Sequence, residues 1–110
     1  MDKLLEMVKK TELPNAYHHF AEGDAPTPPF IIYLIPESDN FSADGGVYFK
    51  ANEVHIELYT DYKDPKTEKK VEAIFDEYGI FYNKSEVFID SEKLYEVLYI
   101  FEMEEDWNGK

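Results

Sequence analysis

Between Asn52 and Gly79 the chain changes from one hydrophobic period to another. Val54, Ile56 and Leu58 alternate with His55, Glu57 and Tyr59. A period of two predicts a half-buried strand. Asp64-Pro65 then marks a helix start. The Asp64 carboxylate can accept from orphan first-turn amides, and Pro65 has no amide hydrogen to lose. Val71, Ile74, Phe75 and Tyr78 follow at helical spacing as one apolar stripe, while Lys66, Glu68, Lys69, Lys70, Glu72, Asp76 and Glu77 fall mostly off it. Gly79 supplies a left-handed residue that stops the helix.

The same reading extends to the rest of the chain. Met1 to Lys10 predicts a short helix buried through Leu4, Leu5 and Val8, and Pro14 keeps it from running beyond Glu12. Asn15 to Phe20 predicts a short strand, and Glu22 to Pro29 a surface loop extended at Pro28-Pro29. Phe30 to Ile35 is continuously apolar and closed by Pro36, as in a central strand covered on both faces. Glu37 to Lys50 carries turn residues at Asp39-Asn40 and Asp44-Gly45-Gly46, which predicts a projecting hairpin or loop. Ile80 to Tyr82 and Val87 to Ile89 predict two short strands around a turn at Asn83-Lys84-Ser85. Leu94 to Met103 predicts a long strand. Tyr95, Val97, Tyr99, Phe101 and Met103 line one face, and Leu94, Leu98 and Ile100 the other, interrupted by Glu96 and Glu102. That mixed second face implies partial exposure or contact with another subunit. The expected class is α+β: a mainly antiparallel sheet with a short N-terminal helix and one central helix packed on it. Residues 1–110 form a single domain, with an acidic tail over 104–110 that frays.

Composition changes this picture in three ways. The 110 residues are 44% hydrophobic, enough for one core, and nine Tyr with eight Phe fit either that core or an adhesive surface. The formal charge of −13 argues against ordinary nucleic-acid binding and against attraction to anionic membranes. It leaves three readings: solubility, a surface that repels DNA, or one that imitates it. The absence of cysteine excludes disulfides, thiolate metal sites and thiol nucleophiles. MDKLLEMVKK has no apolar core of the secretory kind, and the cytosol is the expected compartment.

Candidate chemistry is sparse. His18-His19, on a strand, would point to opposite faces and not chelate one ion together, and His55 lies on a different strand. Asp39, Asn40 and Asp44 lack calcium-loop spacing. The serines lack a nucleophile-elbow context, and Gly45-Gly46 is followed by no phosphate-loop lysine. Carboxylates such as Glu102, Glu104, Glu105 and Asp106, or those of Asp61-Tyr62-Lys63-Asp64, read as solvated charge. No enzyme, no metal and no cofactor is expected. The candidate contact residues are Phe41, Asp44, Val47, Tyr48 and Phe49 in the hairpin, with Tyr62, Tyr95 and Tyr99 from the tyrosine surplus.

Several stretches together resemble a known family. They are Pro29-Phe30-Ile31-Ile32-Tyr33, Asp44-Gly45-Gly46-Val47-Tyr48, and Ile56-Glu57-Leu58-Tyr59-Thr60-Asp61 with Lys63-Asp64. The helix bearing Glu68, Glu72 and Ile74 and the strand ending Tyr99-Ile100-Phe101-Glu102 share in the likeness. The chain resembles the tail terminator or head–tail joining proteins of long-tailed phages and prophages of Gram-positive bacteria. The resemblance implies a subunit of the virion tail that assembles as a ring, typically a hexamer, at the end of the tail tube. Its partners would be further copies of itself, the tail-tube protein and the head connector or stopper. DNA would pass through without specific binding, past an acidic lumen. The family offers no catalytic residues to transfer. The competing expectation is an acidic DNA mimic that inhibits a host nucleic-acid-binding protein, although Lys63, Lys66, Lys69 and Lys70 interrupt its acids.

Overall fold

The structure, a computed structural model, describes residues 2–42 and 48–104, and for residues 37–42 and 48–51 it describes the course of the backbone. The elements are α1 (Asp2–Lys10), β1 (Asn15–Tyr17), β2 (Phe30–Ser42), β3 (Tyr48–Thr60), α2 (Pro65–Glu77), β4 (Asn83–Ile89) and β5 (Leu94–Glu104). The sheet has five strands in the order β1-β2-β3-β5-β4. Only the β1–β2 pair is parallel; the other pairs are antiparallel. The α+β class is as the sequence implies.

Both helices lie on one face of the sheet. Leu4, Met7 and Val8 of α1 and Val71 and Phe75 of α2 cluster with Ile31 and Tyr33, Val54, Ile56 and Leu58, and Val97, Tyr99 and Phe101. The alternation in β3 and β5 therefore sorts residues as expected. In α1 the expected stripe is shifted: Met7 is buried and Leu5 is exposed. Leu4, Met7 and Val8 stand at i, i+3 and i+4, whereas Leu5 lies about 100° from Leu4 around the axis.

Helix α2 begins and ends as its sequence dictates. Asp64 Oδ1 accepts from the Thr67 amide at 3.2 Å, and Oδ2 accepts from the Thr67 hydroxyl at 2.7 Å. At the other end Gly79 has φ +68°. The Gly79 amide bonds to Asp76 O at 3.0 Å and the Ile80 amide to Phe75 O at 2.9 Å, the paired bonds of a Schellman ending. Phe75 packs against Tyr82, Tyr99 and Phe101 at centroid distances of 5.3, 5.0 and 5.4 Å. Each aromatic pair adds roughly 0.5–1.5 kcal/mol beyond area burial.

Three expected turns or breaks are strand instead. Pro36 does not close β2. The register slips by one residue between Leu34 and Glu37, so a bulge absorbs the proline's missing amide and the ladder resumes. Asp39-Asn40 lies within that ladder, opposite Ala51 and Lys50. Asn83-Lys84-Ser85 is the first half of β4, paired with Ile100, Tyr99 and Leu98. In each place a ladder partner outweighs local turn preference. Ile80 to Tyr82 is not a strand, and β4 and β5 are joined through Asp90 to Lys93, with Lys93 at φ 54°. The apolar start of β2 lies in an interior strand, flanked by β1 and β3, and Phe30, Ile31, Ile32 and Tyr33 are buried on both of its faces, as expected.

Strands β2 and β3 extend past their neighbours. β1 covers β2 at Ile31 to Tyr33, and the β5 ladder on β3 ends at the Ala51–Glu104 pair. Beyond it, Asn40 to Ser42 pair with Tyr48 to Lys50, and among the described residues no third strand joins them, so they form a two-stranded arm. The expected projecting hairpin is present in this form. Asp44-Gly45-Gly46 lies outside the described residues, as does all but Glu104 of the 104–110 tail. Among the described residues no helix is long and apolar enough to cross a membrane.

These contacts set unequal costs. Phe75→Ala should destabilise the fold by roughly 3–5 kcal/mol, and Asp64→Ala by about 1 kcal/mol through loss of the cap. Urea denaturation checks both. Equal costs for the two substitutions would contradict the packing described.

Candidate functional site

The face of α2 toward β4 carries a polar network in place of apolar packing. Glu68, expected off the buried stripe, is buried. It stands one turn before Val71 and Glu72, so the same helix face continues into it. Its carboxylate receives Lys63 Nζ at 2.9 Å and Lys84 Nζ at 2.9 Å. Lys84 also reaches Glu72 at 2.7 Å, Lys63 reaches Glu86, and the Tyr99 hydroxyl donates to Glu72 at 2.7 Å. Burial alone would push the Glu68 carboxyl up, but the hydrogen bonds from Lys63 and Lys84 outweigh it and hold the pKa below the ordinary carboxylate value. The Lys63 ammonium is raised chiefly by Glu86 and then by Glu68. Every charge here has an opposite partner, and the network joins α2 to β4 and β5. It is a clamp, with no unpaired nucleophile or base.

The opposite face of the sheet carries no helix. Ladder partners share a face, so Tyr59 with Glu96, Glu57 with Leu98, and His55 with Ile100 lie together there. All six are half-buried. The Tyr59 hydroxyl donates to Glu57 at 2.9 Å and His55 Nε2 meets Glu53 at 2.8 Å. Burial, then repulsion from Glu57, raises the Glu96 carboxyl. Burial and the bond to Glu57 likewise raise the Tyr59 phenol. This face joins leucine and isoleucine to carboxylates, the mixed second face expected of β5.

His18 and His19 depart from expectation. His18 has φ 71° and ends β1, and the His19 amide bonds to Tyr17 O at 2.8 Å in a three-residue turn. The turn swings both rings to one side, with Nδ1 to Nδ1 at 3.1 Å. His55 does not join them. Among the described residues no group of three or more His, Asp or Glu is placed to hold a metal ion.

The contact candidates divide clearly. Tyr62 is exposed and Tyr95 is half-buried beside Phe88. Tyr99 is fully buried and bonded to Glu72, so it cannot meet a partner; it faces the helices, where β5 crosses beneath α2. Phe41, Tyr48 and Phe49 stand on the strands of the arm, and Asp44 and Val47 lie outside the described residues. The sequence reading missed Phe81, which is 96% exposed, and Val87 and Phe88 on β4. Phe81 lies two residues after the Gly79 helix stop, between Ile80 and Tyr82, which both pack against the core, so no local signal in the sequence marks it as exposed.

Unpaired strand edges complete the surface. β4 pairs only with β5, so its outer edge is free along Asn83 to Ile89. Among the described residues β2 has no strand partner on its outer side beyond Tyr33, where the Ile35 amide donates instead to the Tyr17 hydroxyl at 3.1 Å. Compared with protein-family models and with curated proteins, the chain has no match.

The two perturbed carboxylates give opposite pH signatures. Glu68, lowered on folding, contributes stability above its unfolded pKa that is lost as pH falls through its folded value. Glu68→Gln should flatten the loss of melting temperature on acidification. Glu96, raised on folding, favours the folded state below its unfolded pKa, an advantage lost as pH rises through its folded value. Glu96→Gln should therefore raise the melting temperature at pH near 7. A fall there would contradict the repulsion from Glu57.

Proposed function

We propose that this chain is a structural subunit of a phage tail, forming a ring at the end of the tail tube that terminates the tube and joins it to the head connector. The observation that carries this reading is the incompletely paired sheet. A two-stranded hairpin standing alone in water is at best marginally stable, so an arm that leaves its own sheet is suited to stability gained on assembly. Sheets with unguarded edges are templates for strand addition. The resemblance of the sequence to tail terminator and head–tail joining proteins agrees with that arrangement.

The charge fits the same role. A ring that passes DNA gains from acidic walls, because like charge keeps the duplex from sticking. The open sheet face, with Glu53, Glu57 and Glu96, is a suitable wall. The alternative, an acidic decoy for a host nucleic-acid-binding protein, needs free carboxylates spaced as phosphates. Here Glu68, Glu72 and Glu86 are bound by Lys63 and Lys84.

Light scattering on the purified chain, alone and with the tail-tube protein of the same phage, tests the proposal. The expected result is a closed assembly of several 12.9 kDa subunits, formed alone or on the tube protein. A monomer unaffected by the tube protein would sink the reading. Capture of a host nucleic-acid-binding protein would then favour the decoy.

A further inference from the structure

The free edge of β4 is unusual in lacking a guard. Exposed edges are normally protected by lysine, proline, a bulge or a covering loop. The only charged residues of β4 are Lys84 and Glu86, and both are engaged within the subunit. Lys84 is held by Glu68 and Glu72, and Glu86 by Lys63. What remains is neutral: Asn83, Ser85, Val87, Phe88 and Ile89, with Val87 and Phe88 exposed. This edge is chemically ready for another strand.

The second free edge belongs to β2. Its outward amides at Ile31 and Ile35 are already taken by Pro14 O and the Tyr17 hydroxyl, so added pairing can begin only beyond the bulge, along Glu37 to Ser42. That stretch nearly matches the length of β4, which has seven residues. Directions also match. β3 runs opposite to β2, β5 opposite to β3, and β4 opposite to β5, so β4 runs opposite to β2. If a second copy is placed beside the first in the same orientation, its β2 meets β4 antiparallel. The helices then stay on one side of the continued sheet. Self-pairing of two β4 edges is also antiparallel, but centred on the strand it sets Glu86 against Glu86.

Resting on the ring reading above, we propose that the β4 edge of one copy receives the Glu37–Ser42 edge of the next copy's arm as an added antiparallel strand. The contact is head-to-tail, so it propagates around a closed ring and is not satisfied by a dimer. β4 stands level with His55 to Thr60 of β3 through β5, whereas Glu37 to Ser42 stand level with Tyr48 to Glu53. Successive copies are thus staggered along the strands by roughly 20–25 Å, at about 3.3 Å per residue. Each arm lies across its neighbour and gains the third strand that it lacks.

Hydrogen exchange on the assembled ring, compared with the free subunit, tests this. Amides of β4 and of Glu37 to Ser42 should slow together by on the order of tenfold or more, while those of β5 keep their rates. A variant in which residues 39–51 are replaced by the dipeptide Asn-Gly, closing a two-residue turn on the Ser38–Asn52 pair, should still unfold cooperatively and lose the ring. A ring with β4 unprotected, or one still formed by the shortened variant, overturns this contact and leaves the ring reading standing. A dimer protected at β4 alone overturns it in favour of β4 self-pairing. No assembly under any condition, tube protein included, overturns both.

Discussion

Everything in this fold depends on α2 being held against one face of the sheet. Two unlike interactions do this along a single helix. Toward its C-terminal end Phe75 sits among Tyr82, Tyr99 and Phe101. Toward its N-terminal end Glu68 and Glu72 are clamped by Lys84, with Lys63 closing the far side. The aromatic cluster supplies burial, and the clamp supplies direction, since charges satisfied only at short range tolerate little sliding. Tyr99 belongs to both, its ring against Phe75 and its hydroxyl on Glu72.

With the helices confined to one face, the other properties follow. The second face must meet water or a partner, which explains why Glu57 and Glu96 interrupt leucine and isoleucine there. An open five-stranded sheet also has two sides that no helix covers. β1 is too short to close one side, and β4 leaves the other bare.

Much of this was legible in the chain itself. The alternation in β3 and β5 reports which residues face the helices, because period two is the geometry of the pleat. The cap at Asp64 and the stop at Gly79 are equally local, each depending on a few adjacent residues. The errors share one cause. Glu68 reads as a surface charge until Lys84, far along the chain, is brought to it. Asp39-Asn40 and Asn83-Lys84-Ser85 read as turns until a ladder partner arrives beside them. Tyr99 reads as adhesive because a tyrosine ring carries no mark of which side of a sheet will be covered. His18 and His19 read as divergent because a strand was assumed where a left-handed residue bends the chain. The edges became visible only with the strand order, a property of topology that no local pattern encodes.

The charge of −13 gives the bare edge of β4 a further consequence. Any two copies repel before their strands can touch, since unscreened like charges act over about 10 Å at 0.1 M salt and farther below it. Under the proposed edge pairing, dilute, low-salt conditions would therefore keep copies of this chain apart. Raising the ionic strength shortens that range without weakening backbone hydrogen bonds. Pairing of copies as proposed would thus be favoured by salt, the reverse of the behaviour of a protein held to its partner by opposite charge.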